Sequence, residues 1–152
     1  DPFVSAEQAA EVGCLMHDDV DDVFRSCTHI SVHCNLSDDT HHLVNTDRLA
    51  MMPGSAPDGT HCDNHVVNCA RGGIVDEVAV LDALNDGTLA SAALDVFEVE
   101  PAGDNPLVLH ERFHGSPHIG AATLEAQTRV GTEMAGLLIS FFEGERPESA
   151  IN

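Results

Sequence analysis

The chain has 152 residues, room for one ordinary domain with one core, and carries 26 acidic against 6 basic side chains for a formal net charge of -20. All six cations are arginines and there is no lysine, which excludes nucleic acid and anionic membranes as natural partners. Hydrophobic residues make up 43%, so the acidity covers the surface of a protein that still buries a core; we read it as adaptation to concentrated salt, the alternative being an ordinary acidic cytosolic protein.

From the amino end, Ser5 and Gln8 form a capping box ahead of a helix over 6–12 that Gly13 ends. A short strand is expected near 14–16, then an acid-fronted helix over 18–26 with aspartates at its positive end. A β-branched strand over 28–33 is expected to be buried, and Thr46 to cap a short helical turn reaching 52. Over 66–69 an apolar strand runs into Ala70-Arg71-Gly72-Gly73. Asp76 then caps a helix with Val80, Leu81 and Leu84 inward, stopped at Gly87. A strand at 90–95, a loop rich in proline and glycine, a short strand near Phe113 and a terminal helix over about 124–142 complete the chain.

Helices and strands alternating at this spacing predict an α/β fold with a parallel sheet, and no composition break divides the chain, so 1–152 reads as a single domain. No signal peptide and no apolar run of the ~18 residues that span a membrane are seen, which predicts a soluble, cytoplasmic protein. Cys14, Cys27, Cys34, Cys62 and Cys69 are an odd set without a CxxC pair, expected as buried thiols rather than a disulfide framework.

Ligands of open α/β sheets bind where strands end, and polar residues stand at three predicted strand ends. In Asn68-Cys69-Ala70-Arg71-Gly72-Gly73 an arginine backed by two glycines suits bidentate capture of a carboxylate; the alternative is an arginine pairing with a helix end. Three carboxylates, Asp95, Glu98 and Glu100, follow the strand at 90–95. In Ser116-Pro117-His118-Ile119-Gly120 the histidine is either an acid/base or a structural residue. Arginine, glutamate and histidine from three strand ends make a better-specified constellation than any one of them.

VNCARGGIVDEVAVLDALNDGTLASAALDVFEVEP and SPHIGAATLEAQTRV resemble the signature segments of the NAD-dependent D-2-hydroxyacid dehydrogenases, most closely members that act on 3-phosphoglycerate. DPFVSAEQAAEVG, HCNLSDDTHHLVNTDRLAMMPGSA and FFEGERPESAIN resemble the segments around them, so the likeness extends over nearly the whole chain. The resemblance implies a Rossmann-like parallel sheet with flanking helices, NAD as cofactor, and a small 2-hydroxy or 2-keto acid as substrate. It further implies that Arg71 binds the substrate carboxylate and keto oxygen, His118 exchanges a proton with that oxygen, and Glu100, rather than its competitor Glu98, partners His118. Asp95 would hydrogen-bond the nicotinamide amide and Asp1 the adenosine ribose, selecting NAD over NADP; Asn35, Thr40, Cys69, Ala70 and Gly120 would line the cofactor groove.

Against the family pattern, the sequence as given begins after the second strand, lacking the first strand, its helix and the glycine-rich pyrophosphate turn, for which Gly72-Gly73 is no substitute. The substrate-binding domain is also outside it. The expectation is a sheet with exposed edges that rearranges, pairs with a second copy as a homodimer, or is poorly stable, and that binds NAD weakly. Two functions follow: a dehydrogenase domain from a salt-adapted cytoplasm, or a truncated non-catalytic module that folds or self-associates without turnover. The segment 57–65, PDGTHCDNH, is longer than the family's usual passage; it is read as a solvated loop, not a metal site, although His61, Cys62, Asp63 and His65 are suitable ligand types. His41-His42 is read as a loop feature.

Overall fold

The structure, a computed structural model, describes residues 3–146. It divides into two compact units, Asp1–Pro117 and His118–Asn152.

The first unit is built on four parallel strands, β1 (His29–Val32), β2 (His65–Asn68), β3 (Ser91–Leu94) and β4 (Phe113–Gly115), lying side by side in chain order. His29, His65 and Ser91 share one register row, and Ala93 pairs with His114 two rows on. This is the expected α/β, Rossmann-like sheet. Helices α1 (Ala6–Glu11) and α2 (Val20–Ser26) precede β1, while α3 (Thr46–Leu49), α4 (Glu77–Asp86) and a 3-10 turn at Pro106–Leu109 connect the strands.

Local chemistry sets the helix ends. The Ser5 hydroxyl accepts from Gln8 N, while Gln8 returns an acceptor to Ser5 N, the reciprocal box read from sequence. The Asp76 carboxylate accepts from Val78 N and Ala79 N, and Gly87 at φ 87° closes α4 in the left-handed conformation that a side chain resists. At α3 the cap is Asn45 rather than Thr46, its side chain accepting from Arg48 N. Asn45 also donates to His42 O, a bond that a threonine one residue later could not make.

The core forms on one face of the sheet. Ile30, Val32, Val66, Ala92, Leu94 and Phe113 meet Val44, Leu49, Ile74, Val80, Leu84 and Leu89, most of them wholly buried. Leu81 only packs against this cluster, so the inward stripe of α4 is Ala79, Val80, Ala83 and Leu84. The opposite face is polar and small. His29, Ser31 and His114 are exposed and His65, Ser91 and Ala93 half-buried, so β1 alternates outward and inward and is not the fully buried strand expected. His65 Nδ1 lies 2.8 Å from Ser91 Oγ, and its ring lies tilted 4.5 Å from that of His29.

Three expectations are corrected. Residues 14–16 form no strand; Cys14 N instead donates to Ala9 O and closes the end of α1, because no described strand runs beside it to complete a ladder. The cysteines are not buried: Cys14 and Cys69 are exposed, and Cys27, Cys34 and Cys62 are half-buried, with all five as free thiols. The cause is register for Cys69, which falls on the uncovered face beyond Asn68. The two glycines after Arg71 serve the packing of neighbouring loops, as described below.

The segment 57–65 is a short turn closed by a Ser55–His61 bridge and by Ala56 N donating to Thr60 O. Asn64 ends it in the core, accepting from Gly54 N and donating to Met52 O and Thr88 O. No group of three or more metal-ligating side chains converges among the described residues. In the second unit α5 (Leu124–Phe142) is capped by Thr123, whose hydroxyl accepts from Ala126 N, and none of its residues is buried. No helix among the described residues is long and apolar enough to cross a membrane.

Candidate functional site

In the first unit the carboxyl ends of β1, β2 and β3 release three loops that carry most of the residues singled out from sequence. Each loop is shaped by its own side chains. After β1, the Thr40 hydroxyl accepts from Ser37 N at 2.8 Å and donates to Asn35 O at 2.7 Å, so Asn35 and Thr40 are held together in one turn.

After β2 the organiser is Asn68, which is 1% exposed. Its amide accepts from Ala70 N and donates to Arg71 O, both at 2.9 Å, bending the chain sharply at the strand end. Arg71 leaves this turn exposed; its guanidinium donates to Ala70 O at 2.6 Å and forms no ion pair among the described residues. A fixed cation at a strand end, held by the backbone rather than by a carboxylate, is free to meet an anionic ligand.

Gly72 explains how the second and third loops come together. A Cβ there would lie 1.9 Å from Phe97 O and 2.4 Å from Phe97 C, so only glycine lets the Arg71 loop lie against the loop after β3. Gly73 sits at φ 82° and supplies the turn into α4. The close approach made at Gly72 is thus to the neighbouring backbone.

Asp95 is buried, at 4% exposure, directly after β3. Its backbone N donates to Asn68 O, and Ser116 Oγ donates to its Oδ1 at 2.5 Å. Ser116 N in turn donates to Leu94 O, so the end of β4 fixes the carboxylate from the opposite side. A cavity of about 170 Å³ opens beside this carboxylate, lined by Cys69, Ala93, Asp95, Gly115 and Ser116 among others.

The two competing glutamates separate. Glu98 turns towards His42, whose Nε2 donates to Glu98 Oε1 at 2.7 Å, and its backbone N donates to Glu77 Oε1. Glu100 faces its own loop, with Oε1 accepting from Phe97 N at 3.0 Å, and precedes Pro101 through a cis peptide. Glu98 thus serves a different face of the loop from Glu100. Glu77, which receives Glu98 N and the Asn105 side-chain amide, has its carboxyl raised above the ordinary value by burial, with the charges of Glu98 and Asp76 adding to the effect.

His118 and Gly120 belong to the second unit, where His118 adopts φ 56° in the turn ahead of α5. Asp1 lies outside the described residues. Asn68, Ser116 and His42 carry no functional role in the sequence reading. Asn68 and Ser116 were within reach of it, since each is the last polar residue before a predicted turn at a strand end.

The family model described as "D-isomer specific 2-hydroxyacid dehydrogenase, NAD binding domain" matches residues 1–120. The D-3-phosphoglycerate dehydrogenase of Methanocaldococcus jannaschii is 38% identical over the whole chain, which spans 28% of that protein. Among solved structures, a D-lactate dehydrogenase of Treponema pallidum superposes with a TM-score of 0.78 at 31% identity, over 100% of this chain and 47% of that one. The apo D-mandelate dehydrogenase of Rhodotorula graminis gives 0.79 at 28% identity, over 93% and 39% respectively.

Proposed function

Because the chain belongs to the D-isomer specific 2-hydroxyacid dehydrogenases, matching their NAD-binding domain, we propose that it serves hydride transfer between NAD and a small 2-hydroxy or 2-keto acid of the 3-phosphoglycerate type. The observation that carries this reading is the convergence, in one unit, of the Arg71 loop and the buried, oriented Asp95. Residues 1–152 are read as one partial NAD-binding domain. The strongly acidic composition supports a salt-adapted, cytoplasmic setting.

The donor set fits the cofactor. Asp95 offers a carboxylate already fixed by Ser116 beside a cavity, which suits the amide of a nicotinamide; Cys69 and Ala70 lie at the neighbouring strand end, and Asn35, Thr40 and Gly120 complete the groove in this reading. Asp1 is the proposed ribose ligand. When bound, NAD supplies or accepts the hydride. Arg71 pairs with the substrate carboxylate and polarises the keto oxygen, stabilising the negative charge that develops there during reduction. His118 gives the proton to that oxygen in reduction and removes it in oxidation, and Glu100 orients the ring and favours its charged form.

The test is the change in NADH absorbance with a panel of 2-keto acids in about 2 M KCl, where charge is screened over ~2 Å. Turnover that is abolished by His118→Ala and by Arg71→Gln, with cofactor affinity retained in the former, supports the assignment; equal activity in His118→Ala contradicts it. A second reading, a non-catalytic module that self-associates, draws on β1 and β4 being edge strands of the sheet. It predicts a concentration-dependent dimer in sedimentation with no turnover.

A further inference from the structure

We propose that His42 is a positioning residue which ties the three strand-end loops of the candidate site to one another. The inference rests on the functional reading above for its consequence, but not for its geometry. His42 has a left-handed backbone, φ 51°, a conformation uncommon for a residue with a side chain. That conformation lets its N–H reach out of its own loop and donate to Gly73 O at 2.8 Å. Its imidazole points to the third loop: Nε2 donates to Glu98 Oε1 at 2.7 Å, and Nδ1 lies 3.7 Å from Asp76 Oδ2.

Each anchor is sequence-near to a candidate site residue. His42 itself lies two residues after Thr40, Gly73 two after Arg71, and Glu98 two before Glu100. The anchors are also braced. Asp76 uses its other oxygen to cap α4, Glu98 N donates to Glu77, and His41 stacks on the His42 ring at 4.0 Å. One side chain with one backbone N–H therefore connects segments that lie as far apart as 56 positions in sequence. The imidazole faces Asp76, Glu77, Glu98 and Asp104 around one cavity of about 460 Å³, so it is the cationic partner among crowded carboxylates whenever it is doubly protonated. Without it, the loop bearing Glu100 loses its side-chain hydrogen bond to the loop after β1.

The test is amide hydrogen exchange on the full chain in molar KCl, comparing wild type with His42→Gly, Glu98→Ala and Glu98→Gln. Glycine keeps the left-handed backbone and its bond to Gly73 while removing the imidazole. The expected result is exchange about tenfold faster at 96–100 and 72–77 in His42→Gly, as loss of one hydrogen bond to a carboxylate implies, with β1 to β3 unchanged. Glu98→Ala should reproduce the effect at both segments, and Glu98→Gln, which keeps the acceptor oxygen, should restore near wild-type protection. Unchanged exchange in His42→Gly, or acceleration confined to residues next to 42, overturns the proposal. If wild type turns over 2-keto acids, His42→Gly should lower kcat and raise the KM for the acid, and Glu98→Gln should recover both. Absence of turnover in wild type counts against the functional reading alone, since the exchange result stands independently.

Discussion

Replacing Gly72 by alanine probes the contact on which the site depends. The added methyl would meet Phe97 O at 1.9 Å, a backbone atom that cannot swing aside as a side-chain tip could. To reach even a tight van der Waals distance the two loops must part by roughly 1 Å, which is overpacking of the costlier kind, about 1–3 kcal/mol. The adjoining bond from Asp95 N to Asn68 O crosses the same two strand ends and should lengthen, adding about 1 kcal/mol. The sum, about 3 kcal/mol, corresponds to a melting temperature lower by about 10 °C for a unit of this size. Thermal unfolding followed by circular dichroism in molar KCl measures it directly. Gly73→Ala is the matched control: its nearest neighbour atom is 3.6 Å away, so it suffers only the strain of φ 82°, about 1–2 kcal/mol. Gly131→Ala, with nothing within 4 Å on α5, should be neutral or stabilising by up to about 1 kcal/mol. A Gly72→Ala protein that melts within about 2 °C of wild type, or above Gly73→Ala, would refute the reasoning.

Burial raises the Glu77 carboxyl, so its contribution to stability is fully present below the ordinary glutamate range and is lost as pH rises through the raised folded value. The melting temperature of Glu77→Gln relative to wild type should therefore climb between about pH 4 and pH 7; a constant or falling difference would contradict the assigned environment. Ser116→Ala removes a short hydrogen bond to the buried Asp95 carboxylate and should cost about 2 kcal/mol, read as a lower urea midpoint at unchanged slope. A loss under about 0.5 kcal/mol would show that Ser116 does not hold the carboxylate. With a net charge of -20, the melting temperature should rise from dilute to molar KCl, and a flat or falling profile would remove the salt-adapted reading.

Much of the fold was legible because its signals are local. A capping box, an aspartate at a helix start and a glycine at its end each act within four residues, and all three fell where the structure places them. The helix Leu124–Phe142 was read with its bounds nearly unchanged. Strands are less local. The apolar stretch at 14–16 satisfies strand propensity, yet a strand exists only with a neighbour to share its hydrogen bonds, and none is described beside it. The same holds for cysteine burial, which depends on which sheet face receives a cover.

The site residues named from sequence in the first unit stand at strand ends because the fold rule that points there is general. What the sequence could not show is how the loops are held. Asn68 folds back on Ala70 and Arg71, Gly72 admits Phe97 O, and His42 reaches Glu98, each a contact fixed by three-dimensional placement. Composition likewise could not show that Glu98 bonds His42 while Glu100 accepts from Phe97 N.

Calorimetric titration of the chain with NADH in about 2 M KCl, with Asp95→Ala beside wild type, tests the central claim most directly. The account predicts saturable one-to-one binding by wild type, weakened about tenfold or more in Asp95→Ala as the loss of a hydrogen bond to a charged group requires. Absence of binding by the folded wild-type chain, or equal affinity in the two proteins, would contradict it.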